Sequence, residues 1–177
     1  MKKVIRTIFV VVAFMAITAE ARSQDNGYTS EISYKNSIGL RLGTDNGLTF
    51  KHFYKPTWAF EGNVTTGYRG LVGTGLFEKH INIAHRAGLY LFFGGGAHVG
   101  QWNHVVYYRR QTGDGYTYVY RGYEPAPSLG VDGIFGVEYK IPDAPFTIGL
   151  DVKPYLDAFF PGESGVDGAF SCRYIFK

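Results

Sequence analysis

Three groups of residues in this chain have the types and spacing to do chemistry. The first is ionisable: Arg41, Lys51, Glu61, Asp132, Glu138, Asp151, Lys153 and Arg173 each sit at an alternate position between apolar neighbours. Charges gathered in a narrow, poorly hydrated interior are costly in isolation, so four acids and four bases there are expected to pair into one network. As a structural feature such a network plugs and rigidifies its surroundings. As a functional one it is a gated polar path for small solutes or ions. The second group is the five histidines. Hydrolysis needs a nucleophile, a base and an orienting group within reach of one another. His98, Asp132 and Ser128 make such a set on paper, with Ser128 at a strand start after a loop. His80 and His85 suit no single strand face, and Glu78 with His80 falls short of the three or four ligands of a zinc site. Gly94-Gly95-Gly96 has Val99 where a dinucleotide loop needs glycine, and no helix follows. No catalytic set, metal or cofactor is therefore expected. The third group is aromatic and basic: Tyr107, Tyr108, Arg109, Arg110, Tyr116, Tyr118, Tyr120 and Arg121, followed by Tyr123. Tyr and Arg are enriched at interaction hot spots, and a protruding hairpin offers an edge for strand addition. The plainer role is stacking across the hairpin itself.

The elements that position these residues are strands. From Leu129 to Tyr139, Leu129, Val131, Phe135, Val137 and Tyr139 alternate with Gly130, Asp132, Ile134, Gly136 and Glu138. After Pro142-Asp143-Ala144-Pro145 the alternation resumes, with Phe146, Ile148, Leu150 and Val152 opposite Thr147, Gly149, Asp151 and Lys153. Period two, a tight turn and period two again is a β-hairpin. One face is almost unbroken apolar while the other carries charge and glycine. Strands of about 9–11 residues with that division suit the wall of a membrane barrel.

Eight strands are predicted: 36–44, 48–53, 58–66, 71–80, 89–102, two forming the hairpin 128–140 and 146–153, and 167–177. Asp45-Asn46-Gly47 reads as a tight turn between the first two. The facing of the fourth is open, because Gly73 and Gly75 dilute its pattern. Residues 103–127 read as an outward continuation of strands five and six into an aromatic hairpin, and 156–166 as a loop. Eight strands close a barrel with no exposed edge and an interior just wide enough for side chains. Shorter turns after strands two, four and six, with longer connections after five and seven, match short periplasmic turns and long outer loops. Aromatic residues near strand ends (Tyr54, Trp58, Trp102, Tyr139, Tyr155, Phe159, Tyr174 and Phe176) are expected in two interfacial girdles.

The chain has 177 residues with 24 Gly, 14 Tyr and 14 Phe, a composition that favours β structure within one domain. Lys2, Lys3 and Arg6 precede a short apolar run ending near Ile17, and Ala19-Glu20-Ala21 is a small-x-small site, so residues 1–21 read as a secretory signal peptide. Its removal lowers the formal net charge from +3 to +1, which leaves no general attraction to nucleic acid. Residues 22–35 are a polar lead-in and 36–177 the barrel. Cys172 shares an apolar face with Phe170 and Tyr174 and is expected to act as a small hydrophobe.

Taken together, LTFKHF, LYLFFGGGAHVG, GVDGIFGVEYKIPDAPFTIGLDVKP and the terminal SCRYIFK resemble the small eight-stranded outer-membrane barrels of Gram-negative bacteria, the OmpA/OmpX-type superfamily. The resemblance covers the signal peptide and residues 36–177. It implies an all-β, eight-stranded antiparallel up-and-down transmembrane barrel, exported through the Sec signal peptide and in contact with outer-membrane lipid. It also implies that Phe170, Tyr174 and Phe176 form the signal read by the barrel-assembly machinery, although Lys177 follows the final aromatic. Some small outer-membrane barrels deacylate lipid A with a His-x-Ser pair and a Glu. Here the residues two after each histidine are Tyr54, Asn82, Ala87, Gly100 and Val106. The expectation is thus a non-enzymatic barrel with a structural or surface-interaction role, binding an extracellular protein or glycan. A narrow channel and a lipid-modifying enzyme are the alternatives, and a soluble β-sandwich or lipocalin-like barrel would bury the opposite face.

Overall fold

The computed structural model describes residues 32–67, 70–83, 88–111, 117–158 and 164–176, with 102–111, 117–121 and 123–125 described by their backbone alone. Eight strands follow in order: β1 (Asn36–Gly43), β2 (Asp45–Lys55), β3 (Trp58–Gly67), β4 (Gly70–Asn82), β5 (Leu89–Gln111), β6 (Thr117–Lys140), β7 (Phe146–Asp157) and β8 (Ser164–Phe176). Each pairs antiparallel with the next, and β1 closes the barrel on β8 from Asn36↔Phe176 to Gly43↔Ala169. Closure follows from the strand count: at eight, no described strand of the wall is left with an open edge.

Burial is inverted relative to a soluble protein. Leu71 and Leu76 lie on the same strand, yet Leu71 is 60% exposed on the outer face and Leu76 is 0% exposed inside. Ile38, Leu40, Leu48, Val64, Val99, Val131, Leu150 and Phe170 are also exposed, whereas Arg41, Lys51, Glu61 and Arg173 are completely buried. The apolar face of each strand is therefore the outer one, the reverse of the burial that a soluble barrel would have. The inner glycines belong to the same geometry. A Cβ at Gly96 would run into the Gly75 carbonyl, so glycine lets neighbouring strands approach where long charged side chains already fill the interior. On the outer face the Phe60 ring lies against the position a Gly75 Cβ would take, at 3.6 Å. These glycines diluted the β4 pattern. The structure settles the facing of that strand, with Val72, Thr74, Leu76, Glu78 and His80 all inside.

Two connections differ from expectation. Asp45-Asn46-Gly47 is not the turn: these residues open β2 and pair with Gly67, Thr66 and Thr65. The chain reverses around Thr44, where the Asn46 side-chain oxygen accepts the Gly43 N–H at 3.1 Å and the Gly168 carbonyl accepts the Thr44 N–H at 3.3 Å. Asn thus supplies a side-chain acceptor to the turn instead of occupying its apex. The expected loop 156–166 is likewise shortened by strand, since β7 runs to Asp157 and β8 starts at Ser164.

The two ends of the barrel are unlike. At the end where the chain enters, Ile32–Lys35 does more than lead in. The Lys35 carbonyl accepts the Phe53 N–H at 2.8 Å, and Tyr34 turns inward to pack edge-on against Phe53, with ring centres 5.1 Å apart. Tyr34, Phe53 and Ala59, with Ile32 and Ile175 beside them, form an apolar stopper in this mouth. Outside it, Tyr54, Trp58, Tyr139, Tyr174 and Phe176 are exposed. Tyr155 is a correction. It stands on the inner face of β7, where its hydroxyl fills the space beside Gly165 and its ring meets His98 edge-on at 6.2 Å. Phe159, and the side chain of Trp102, lie outside the described residues. At the opposite end β5 and β6 continue with only each other as partners among the described residues. Their ladder runs from Leu89↔Tyr139 to Gln111↔Thr117, whereas β4 leaves β5 at Trp102 and β7 leaves β6 at Gly130.

Candidate functional site

The eight ionisable residues expected inside all face the interior, and they divide into two clusters. Near the stopper, Lys51 is held by three carboxylates, with its Nζ 2.9 Å from Glu61, 2.8 Å from Glu78 and 3.3 Å from Glu138. Arg173 spans two of the same groups, donating from Nη2 to Glu61 at 2.8 Å and from Nη1 to Glu138 at 3.0 Å. The Tyr34 hydroxyl donates to the other oxygen of Glu138. Burial, then the charge of Glu138, push the Tyr34 phenol well above the ordinary tyrosine range, so it acts as a neutral donor. The Phe92 ring lies 4.4 Å from Lys51 Nζ and stacks on His80 at 5.1 Å. His80 Nε2 in turn meets Glu78 at 3.1 Å. These are charge-assisted bonds between buried groups, where each one orients its neighbours.

Toward the ribbon end, Arg41 donates to Asp151 at 2.5 Å and to Asp167 at 3.1 Å. Lys153 donates to Asp132 at 3.1 Å, and His98 Nδ1 lies 2.8 Å from the other Asp132 oxygen. Between the clusters Leu76, Phe92 and Ile134 pack as an apolar patch on the inner wall.

The interior holds more acid than expected. Asp45, Glu78 and Asp167 are buried beside the four predicted acids, while Arg41, Lys51, Lys153 and Arg173 are the buried Lys and Arg side chains among the described residues. Two of the three added acids had a reason to be missed. Asp45 was hidden by the turn reading and Glu78 by the glycines of β4. Asp167 shares its face with Ala169, Ser171 and Arg173, so parity alone could have found it. Tyr34 carried no periodic signal, because it precedes the first strand.

His98 and Asp132 are joined, but Ser128 donates to Asp157 at 2.8 Å. Among the described residues no group of three or more His, Cys, Asp and Glu side chains could hold a metal ion. Phe170, Tyr174 and Phe176 are exposed on the outer face of β8, with Cys172 among them. Of the aromatic–arginine group, Tyr107, Tyr108, Arg109 and Arg110 lie on β5, and Tyr118, Tyr120, Arg121 and Tyr123 on β6. Tyr116 lies outside the described residues.

No protein-family model matches the chain, and no curated protein matches it. Among solved structures the chain is similar to the N-terminal β-barrel domain of Pseudomonas aeruginosa OprF. The TM-score is 0.56 at 9% sequence identity, over 80% of this chain and 96% of that one. At that identity the likeness concerns the fold. The chain is an all-β, closed, eight-stranded antiparallel up-and-down barrel that shares its architecture with the OprF barrel domain.

Proposed function

We propose that this chain is a non-enzymatic outer-membrane barrel, exported by its N-terminal signal and anchored by its wall, whose working part is the β5–β6 ribbon held outside the cell. The observation that carries the reading is the ladder of β5 and β6, which outruns those of both neighbouring strands. An apolar outer wall supports membrane insertion, because every wall strand pairs with a neighbour on both sides in a closed barrel. The packed ion pairs and the Tyr34 stopper argue for an anchor over a channel. The engagement of Ser128 with Asp157 argues against a hydrolytic centre. The ribbon, carrying Tyr and Arg, is the surface that would meet an extracellular protein or glycan.

The test is expression of the full chain in a Gram-negative host, beside a version in which an Asn-Gly turn replaces residues 103–126. Both chains are expected in washed outer membranes with a gel mobility that shifts only on boiling. Cells carrying the full chain are expected to bind members of a panel of immobilised host proteins and glycans, and cells carrying the shortened chain to lose that binding. Regular conductance steps from the purified barrel in planar bilayers, with cell binding unaffected by the replacement, would show a channel instead.

A further inference from the structure

Neither outer edge of the ribbon is paired among the described residues, and the two edges are not equivalent. The Gly88 carbonyl accepts the Lys140 N–H at 2.7 Å, and these residues continue the Leu89↔Tyr139 register by one step. Even-numbered residues of β5 and β6 therefore bond to each other, and odd-numbered ones direct their N–H and C=O groups to the outer neighbours. Both neighbours agree with this parity. The Leu89 carbonyl accepts the Ile83 N–H on the β4 side at 3.4 Å, and the Leu129 carbonyl accepts the Ala158 N–H on the β7 side at 2.8 Å. Past Trp102, where β4 ends, the open edge of β5 thus offers the N–H and C=O of Asn103, Val105, Tyr107, Arg109 and Gln111 without interruption. On β6 the same parity falls on Pro125 and Pro127, which have no N–H to give. Proline at an edge is a common guard against added strands. Here it guards β6 at its base and leaves β5 open.

We propose that the β5 edge of the ribbon is a strand-addition site for an extended, acidic segment of an extracellular protein, which would pair antiparallel to β5 in line with β4. This rests on the reading of the ribbon as the surface-exposed working part. Charge selects the occupant. Arg109 and Arg110 lie on β5, and Arg121 is paired with Tyr107, so three arginines fall within a few ladder positions in the outer part of the ribbon. Glu124 is paired lower, with His104, and Asp114 lies outside the described residues. A second copy fits poorly. Two chains in one membrane both run β5 outward, so their edges would meet in parallel and bring Arg109 and Arg110 of each to the same height, where like charges repel. An isolated two-stranded ribbon is marginal in water, and a third strand is what such a ribbon lacks.

The test uses the purified full chain in detergent and a fluorescent nine-residue peptide alternating Thr and Val with two Glu. A second peptide carries Lys in place of Glu. The Glu peptide is expected to bind and the Lys peptide to bind roughly tenfold more weakly or worse. Val105→Pro combined with Tyr107→Pro removes two open-edge donors of β5 and spares the ladder to β6, so affinity is expected to fall roughly tenfold or more. Val119→Pro, the equivalent change on the β6 edge, should leave affinity within about twofold. Arg109→Glu with Arg110→Glu alters charge without touching the backbone and should reverse the preference between the two peptides. Absence of Glu-peptide binding, equal binding of both peptides, or a greater loss from Val119→Pro than from the β5 pair overturns the β5 assignment. If ribbon-dependent cell binding persists in that case, the surface reading stands and only the edge and partner class fail. If replacing residues 103–126 leaves cell binding intact, the surface reading itself fails.

Discussion

Strands β5 and β6 pass through two environments, and their contrast separates what holds this molecule from what it offers. Within the wall each has a partner on both sides and turns charged residues inward, so that Glu138 of β6 meets Lys51, Arg173 and Tyr34 from β2, β8 and the entry segment. Beyond Trp102 and Gly130 the same strands have only each other among the described residues. Backbone groups that would be satisfied in the wall are left to solvent or to a partner. The interior is committed and the ribbon is uncommitted, although the chain crosses between them without a break in register.

The contrast breaks most severely when a cation is taken from the interior. Lys51→Met keeps the length and apolar stem of the side chain but removes the cation that Glu61, Glu78 and Glu138 share, leaving Glu61 and Glu138 to Arg173 and Glu78 to His80. Removing one member of a buried ion pair costs about 3–5 kcal/mol, because an uncompensated charge stays behind. The urea midpoint for loss of the heat-modifiable form should fall accordingly. A midpoint within error of the parent would mean that the inner charges are hydrated and the interior is not packed as described.

Tyr34→Phe is a smaller cut at the same cluster. It keeps the ring against Phe53 and removes only the hydroxyl that donates to Glu138. A lost hydrogen bond to a charged group is worth about 1.5–3 kcal/mol. Glu138 retains Lys51 and Arg173, so the lower part of that range is expected in the same urea measurement. Combining Tyr34→Phe with Glu138→Gln should give less than the summed losses, since both changes act on one contact. Strict additivity in that double-mutant cycle would detach the stopper from the network.

How much of this was legible in the sequence depends on how far period two reached. Strand β6 was readable because Leu129, Val131, Val137 and Tyr139 leave no doubt about the outer face, and Asp132 and Glu138 then had to lie inside. Strand β4 was not, because Gly73 and Gly75 occupy outer positions without a side chain of their own, and at Gly75 the bulk comes instead from the Phe60 ring of the adjacent strand. That concealed Glu78, one of the three carboxylates that hold Lys51, and His80 beside it. Asp45-Asn46-Gly47 misled for another reason. Asn favours turns through its backbone and through its side chain alike, and the sequence does not say which applies. Tyr34 could be placed only by tertiary structure, since no alternation precedes Asn36. The ribbon was visible as two strands around a turn, but the inequality of its edges needed the register, because Pro125 and Pro127 guard an edge only if odd positions face outward.

The smallest effect on stability is expected where the sequence is most distinctive. Replacing residues 103–126 with an Asn-Gly turn deletes the whole tyrosine and arginine group of the ribbon, six Tyr and three Arg. Yet the ladder it removes joins β5 only to β6, and an isolated two-stranded hairpin is marginal in water. A shorter connection also slightly lowers the entropy cost of closing the loop between the two strands, by roughly 0.6 kcal/mol for each halving of length in a flexible loop. The two small terms oppose each other, so the urea midpoint should stay close to the parent while surface binding disappears. A loss comparable to that of Lys51→Met would mean that the ribbon folds back onto the barrel and belongs to the committed part of the molecule. It would then be a lid on the outer mouth, and the open β5 edge would be closed by the chain itself.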